Sequence, residues 1–97
     1  MRVLVRFFGV LRSTVGKELV EMDIGNGGKV VDLLEHILDR MERRELQKTL
    51  FDPELHDPRP SNVILVNGRE INSLNGLETV LQEGDEITLI PLIHGGQ

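Results

Sequence analysis

The chain closes on Leu92-Ile93-His94-Gly95-Gly96-Gln97, an apolar run that leads into two glycines with one residue beyond them. Paired glycines in such a place can do chemistry by what they lack. Without a Cβ they take extended or turning backbone that other residues avoid, and they fit a slot too narrow for any side chain. A carboxylate at Gly96 would then be the reactive group, with Gly95 giving it reach. The same ending also suits a terminus that frays and does nothing. What decides between the two is the body that would present the tail.

Other chemistries find little support. There is no cysteine, which removes disulfides, thiolate metal sites and a cysteine nucleophile, and which fits a reducing, cytoplasmic setting. His36, His56 and His94 fall on a helix, a loop and the tail with no ligand spacing among them, so no metal is expected and His94 reads as a tail contact. No Ser/His/Asp arrangement emerges, and Gly25-Asn26-Gly27-Gly28 lacks the Lys-Ser/Thr that a phosphate-binding loop needs. The Glu42-Arg43-Arg44-Glu45 run reads as a solvated helix end. With 11 basic against 16 acidic residues and a net charge of −5, a nucleic acid backbone is a poor partner. No apolar run reaches membrane-spanning length, and Arg2 and Arg6 break any signal-peptide core. The expectation is neither an enzyme nor a cofactor binder, with no nucleic acid or membrane partner.

The elements that must position the tail are legible in the periodicity. Residues 2–8 alternate, with Val3, Val5 and Phe7 on one face and Arg2, Leu4 and Arg6 on the other. Residues 9–16 read as a loop. Residues 17–24 alternate again, Val20, Met22 and Ile24 against Leu19, Glu21 and Asp23, and should pair with the first strand as an antiparallel hairpin. After the glycine cluster the spacing turns helical from about residue 29 to about residue 45, with Val30, Leu34, Ile37 and Met41 on one face. That helix is poorly capped, since Gly28 and Lys29 stand where Ser or Thr would serve, although Asp32 in the first turn offsets this through the helix dipole. Residues 46–60, with Pro53, Pro58 and Pro60, form a long loop. Asn62 to Val66 is a strand ended by Asn67-Gly68, a pair suited to a primed turn. Residues 69–71 return as a short strand, Leu77 and Leu81 mark one helical turn, and residues 86–92 form the last strand.

Ninety-seven residues, 39% hydrophobic and 28% charged, make one domain, with three Phe and no Trp or Tyr leaving the core to branched aliphatics. The last strand can pair parallel to the first with the helix crossing one face. The expected fold is α+β, a β-grasp or ubiquitin-like mixed sheet of four to five strands packed on one main helix, spanning residues 1–92, with a flexible tail at 93–97.

Several stretches together resemble the MoaD/ThiS sulfur-carrier family and its relatives, the ubiquitin-related modifiers and small archaeal modifiers. Phe8-Gly9 with Arg12 resembles its Phe-Ala/Gly-x-x-Arg start, and Val30-x-Asp32-Leu33-Leu34 its helix start. Val66-Asn67-Gly68-Arg69 is similar to its hairpin turn. Leu81-x-x-Gly84-Asp85-Glu86-Ile87, followed by Ile90-Pro91, resembles its entry into the last strand. Only residues 45–60 lie outside the match, and Gln97 departs from members that end at the second glycine.

The resemblance implies that an adenylating enzyme uses ATP to activate the carboxylate of Gly96. Sulfur then gives a thiocarboxylate for molybdopterin synthesis or tRNA thiolation, or a lysine amine gives an isopeptide bond. The expected partners are that enzyme, the large subunit of a molybdopterin synthase of which this chain would be the non-catalytic small subunit, a protease that trims Gln97, and conjugated proteins. A β-grasp module whose tail is never activated is the further alternative. Leu92, Ile93 and His94 would contact the enzyme with the tail. Leu4, Phe8, Leu65 and Ile90 would form an apolar docking patch on the sheet face away from the helix, with Arg12 and Arg69 as a polar rim. From periodicity alone the third strand's contribution is either Val63 and Leu65 or Ile64 and Val66, and residues 46–60 either leave that face open or cover it.

Overall fold

The computed structural model describes residues 1–41 and 62–92. The chain forms strand β1 (Arg2–Phe7), helix α1 (Gly9–Val15), strand β2 (Leu19–Asp23), helix α2 (Val30–Met41), strands β3 (Asn62–Val66) and β4 (Arg69–Glu70), two 3-10 turns at Ile71–Ser73 and Gly76–Glu78, and strand β5 (Glu86–Pro91). The strands lie in the order β2-β1-β5-β3-β4. β5 runs parallel to β1 and antiparallel to β3, while β1 and β2 pair antiparallel. This is the β-grasp arrangement that the element order implied.

One face of the sheet is packed. Val3, Val5 and Phe7 of β1, Met22 of β2, Ile64 and Val66 of β3, and Ile87 and Leu89 of β5 form one buried cluster with Val30, Leu33, Leu34 and Ile37 of α2. Alternation along each strand therefore assigns the faces as read for β1 and β2, and it resolves β3: Ile64 and Val66 point inward, Val63 and Leu65 outward. Proximity to this cluster also decides the ends of the elements. Leu81 is buried although it lies in no helix, because its N–H bonds to Gly28 O at 2.9 Å and pins the chain ahead of β5 to the start of α2.

Three local expectations change. Residues 9–16 are not a loop but helix α1, closed by Gly16 in the left-handed region (φ 88°) with its N–H on Arg12 O. Gly, Ser, Thr and Val give this segment little helical propensity. Its order comes from tertiary packing of one fully buried side chain, Leu11. The short strand ends at Glu70, and Ile71 turns into a 3-10 helix held by Asn72 N–H on Glu70 Oε2 at 3.0 Å and Ser73 Oγ on Glu70 O at 2.7 Å. Asp32 does more than complement the dipole of α2. Its Oδ2 accepts the Lys29 N–H at 2.9 Å, which is the back-reaching half of a capping box. The helix is thus capped from inside, where Gly28 and Lys29 offer no side-chain cap. Helix beyond Met41, the loop expected at 46–60 and the tail at 93–97 lie outside the described residues.

Asp32→Ala should lower the unfolding free energy by about 1 kcal/mol, and Asp32→Asn, which keeps an acceptor, should lose less than half of that. Urea denaturation of the three proteins measures both.

Candidate functional site

The reactive tail would leave the body at Pro91, so the site consists of the end of β5 and the sheet face beside it. β5 is the middle strand of five, and two contacts fix the point where it ends. Phe8 N–H bonds to Leu89 O at 3.1 Å, carrying β1 on past its last strand residue. Gly9, at φ +56°, opens α1 against Pro91, whose Cγ would stand 3.2 Å from a Cβ at that position. The left-handed backbone and the close ring both favour glycine there. Leu92, the last described residue, is exposed; Ile93, His94, Gly95 and Gly96 lie outside the described residues.

The sheet face turned away from α2, called the open face below, follows from the strand register; residues 46–60, which could cover it, lie outside the described residues. Arg6 stands beside Thr88 and Thr88 beside Leu65; Leu4 stands beside Glu86; Ile90 stands beside Val63. Leu4, Val63, Leu65 and Ile90 are half-buried on this face. Phe8 and Leu92, 39% and 46% exposed, stand where β1 and β5 end. The residues expected in the patch thus share one face but not one spot: Ile90 and Phe8 stand at the end of β5, Leu65 beside its middle and Leu4 beside its first residue.

The two expected rim residues separate. Arg12 on α1 reaches Glu18 Oε1 at 3.3 Å, and Glu18 Oε2 accepts from Arg6 Nη1 at 2.6 Å, so Arg12 is tied to the open face. Arg69 is not on that face. It pairs across from Val66, and opposed residues in an antiparallel pair point the same way, which puts it with the helix-side residues at the sheet edge. Glu70, opposite Leu65, takes the open-face position instead. A two-residue strand carries too little alternation to assign faces without its partner's register.

Sequence reasoning missed Arg6 and its acidic neighbours as part of this site. Arg6 Nε donates to Glu86 Oε2 at 3.1 Å, completing a line Arg12, Glu18, Arg6, Glu86 from α1 across β1 to β5. The hydrogen bond and charge of Glu86, and after them those of Glu18, raise the Arg6 guanidinium above its ordinary pKa against the opposing effect of desolvation. Exposed ion pairs add little to stability singly; here they hold α1 and the β2 entry against the strand that carries the tail. A signal was present, since Arg6 interrupts an apolar strand on the outward face, but nothing local names Glu86, 80 residues away.

Among the described residues no group of acidic, His or Cys side chains could hold a metal ion, and no helix is long and apolar enough to cross a membrane. The chemistry that this arrangement can support is presentation: a fixed strand end, an apolar face around it and a charged line beside it.

Known proteins share this fold and part of this sequence. The chain is 27% identical over 99 residues to small archaeal modifier protein 3 of Haloferax volcanii, covering 99% of this chain and 100% of that one. It is 34% identical over 77 residues to a putative sulfur carrier protein of Archaeoglobus fulgidus, covering 78% of this chain and 84% of the other. The solution structure of small archaeal modifier protein 1 from Methanosarcina acetivorans superposes with a TM-score of 0.82 at 32% identity, over 98% of this chain and 96% of that one. A sequence model of the ThiS family matches residues 5–96, and the chain belongs to that family of ubiquitin-like sulfur carriers and modifiers.

Proposed function

We propose that this chain carries sulfur on the carboxyl group of Gly96. After a protease removes Gln97, an adenylating enzyme joins the Gly96 carboxylate to the AMP part of ATP and releases pyrophosphate. A sulfide-equivalent nucleophile then attacks the acyl carbon, AMP leaves, and a thiocarboxylate remains for molybdopterin synthesis or tRNA thiolation. The observation that carries this reading is the family match, which runs through Gly95 and Gly96 and stops short of Gln97. A carboxylate is a poor electrophile and adenylation supplies its leaving group, so the carrier contributes reach and a slim profile. ATP is bound by the enzyme, and the carrier is its substrate.

Docking must offset the ordering of the tail. Fixing five residues from Leu92 to Gly96 in an enzyme slot costs roughly 5–10 kcal/mol at about 1–2 kcal/mol per residue. The open face supplies the compensating contact through Leu4, Phe8, Leu65 and Ile90, with Arg12 at its rim. The large subunit of a molybdopterin synthase would use the same face when it receives the tail.

A second reading, a protein modifier joined through Gly96 to lysines, is favoured by the end-to-end similarity to small archaeal modifier protein 3. The two uses share the acyl adenylate and differ only in the nucleophile.

Protein isolated from its host should contain chain ending at Gly96, part of it with one carboxyl oxygen replaced by sulfur, as measured by intact mass spectrometry. Finding only chain that ends at Gln97 contradicts the proposal. Phe8→Asp, at an exposed position, should leave the fold intact and lower the rate of adenylation at limiting carrier by about tenfold, read as pyrophosphate release. The modifier reading expects high-molecular-weight adducts that disappear when Gly95 and Gly96 are deleted; no adducts under any growth or stress condition would remove it.

A further inference from the structure

The chain holds three Asn-Gly dipeptides, Asn26-Gly27, Asn67-Gly68 and Asn75-Gly76. Asparagine before glycine is chemically vulnerable, because the missing Cβ lets the glycine nitrogen approach the asparagine amide carbon. That nitrogen attacks Cγ, ammonia leaves and a succinimide ring closes. Water then opens the ring at one carbonyl or the other, giving aspartate or isoaspartate. Water is the only reactant added and ammonia the only group lost.

The fold gives the three sites different environments. Asn67 and Gly68 occupy a tight turn at φ 51° and 84°, and both polar atoms of the Asn67 side chain are engaged. Its Nδ2 donates to Asp85 Oδ1 at 2.9 Å, and its Oδ1 accepts the Glu86 N–H at 2.9 Å. Asp85 is itself anchored, its Oδ2 accepting the Gln82 N–H at 2.8 Å. Asn75 is held through its backbone: its N–H bonds to Thr79 Oγ1 at 3.0 Å and its carbonyl accepts from Glu78 at 3.1 Å. Gly76 O accepts from both the N–H and the hydroxyl of Thr79.

Asn26 has none of this. It sits with Gly27 (φ 80°) at the centre of a four-residue turn closed by one bond, Gly28 N–H to Gly25 O at 3.1 Å. Its side chain is exposed and makes no hydrogen bond among the described residues. The attack needs the amide carbon and the next nitrogen to swing together: at Asn67 the bonded side chain resists this, at Asn75 the held backbone on both sides of the peptide does, and at Asn26 the single bond closing the turn leaves both free.

We propose that Asn26 is a spontaneous modification site of the folded chain, converting to aspartate and isoaspartate, and that the fold protects Asn67 and Asn75. The products place a new carboxylate between Asp23 and the start of α2. The turn lies at the end of the sheet where β1 begins, since Asp23 pairs with Arg2, whereas β5 runs parallel to β1 and delivers Pro91 at the other end. Modified chains therefore keep the open face and the strand end that present the tail, and accumulate as charge variants.

The full-length protein, incubated at mildly alkaline pH and sampled over time, is digested and each Asn-Gly peptide is quantified by mass spectrometry. The Asn26 peptide should convert about tenfold or more faster than the Asn67 peptide, whose two side-chain hydrogen bonds must open first. In concentrated guanidinium chloride the three rates should converge. Asp85→Ala should speed conversion of Asn67 severalfold and leave that of Asn26 unchanged. Conversion of Asn67 or Asn75 as fast as Asn26 in the folded chain, or the same ranking in denaturant, would overturn the proposal. The comparison of folded with denatured wild type requires no variant to fold.

Discussion

The double pairing of β5 is the constraint on which the rest of the molecule depends. A strand bonded on both edges has no free ladder groups, so β1 and β3 must flank it over most of its length, and its register with both fixes the whole sheet. Its parallel pairing with β1 cannot be made by a tight turn. The intervening chain must cross a face, and α2 is the element described there. Ile87 and Leu89, fully buried on that side, join the helix to the sheet through the strand that carries the tail.

The consequence is a division of labour along one strand. Inward residues of β5 bind it to the core, outward residues Glu86, Thr88 and Ile90 belong to the open face, and its end releases the tail beside Gly9. On the proposed reading, chemistry at Gly96 takes place beyond the last residue of β5 and need not disturb the sheet. The Arg12, Glu18, Arg6, Glu86 line reinforces this by linking α1, which abuts Pro91, to the β5 entry. The charged line across this face also limits which surfaces can dock there, since a partner has to satisfy or spare Arg6.

Much of this was legible because the signals were periodic. Alternation in β1 and β2 assigned their faces, the helical stripe of Val30, Leu34 and Ile37 located α2, and Asn67-Gly68 marked a hairpin whose glycine and asparagine both take positive φ. What could not be read depended on partners distant in sequence. Helix α1 is ordered by Leu11 against the core, not by its own propensities. The outward assignment of Val63 and Leu65 follows from pairing with β5. Arg69 left the expected rim because two residues of strand carry no period of their own. Glu86 was invisible as the partner of Arg6, as any contact spanning most of the chain would be.

If Gly96 is the group activated, the body serves to bring it to the activating enzyme. ATP–pyrophosphate exchange with that enzyme tests this most directly, comparing chain ending at Gly96, chain ending at Gln97 and chain lacking Gly95 and Gly96. Exchange is expected with the first alone. No exchange with chain ending at Gly96, or equal exchange with chain ending at Gln97, would contradict it.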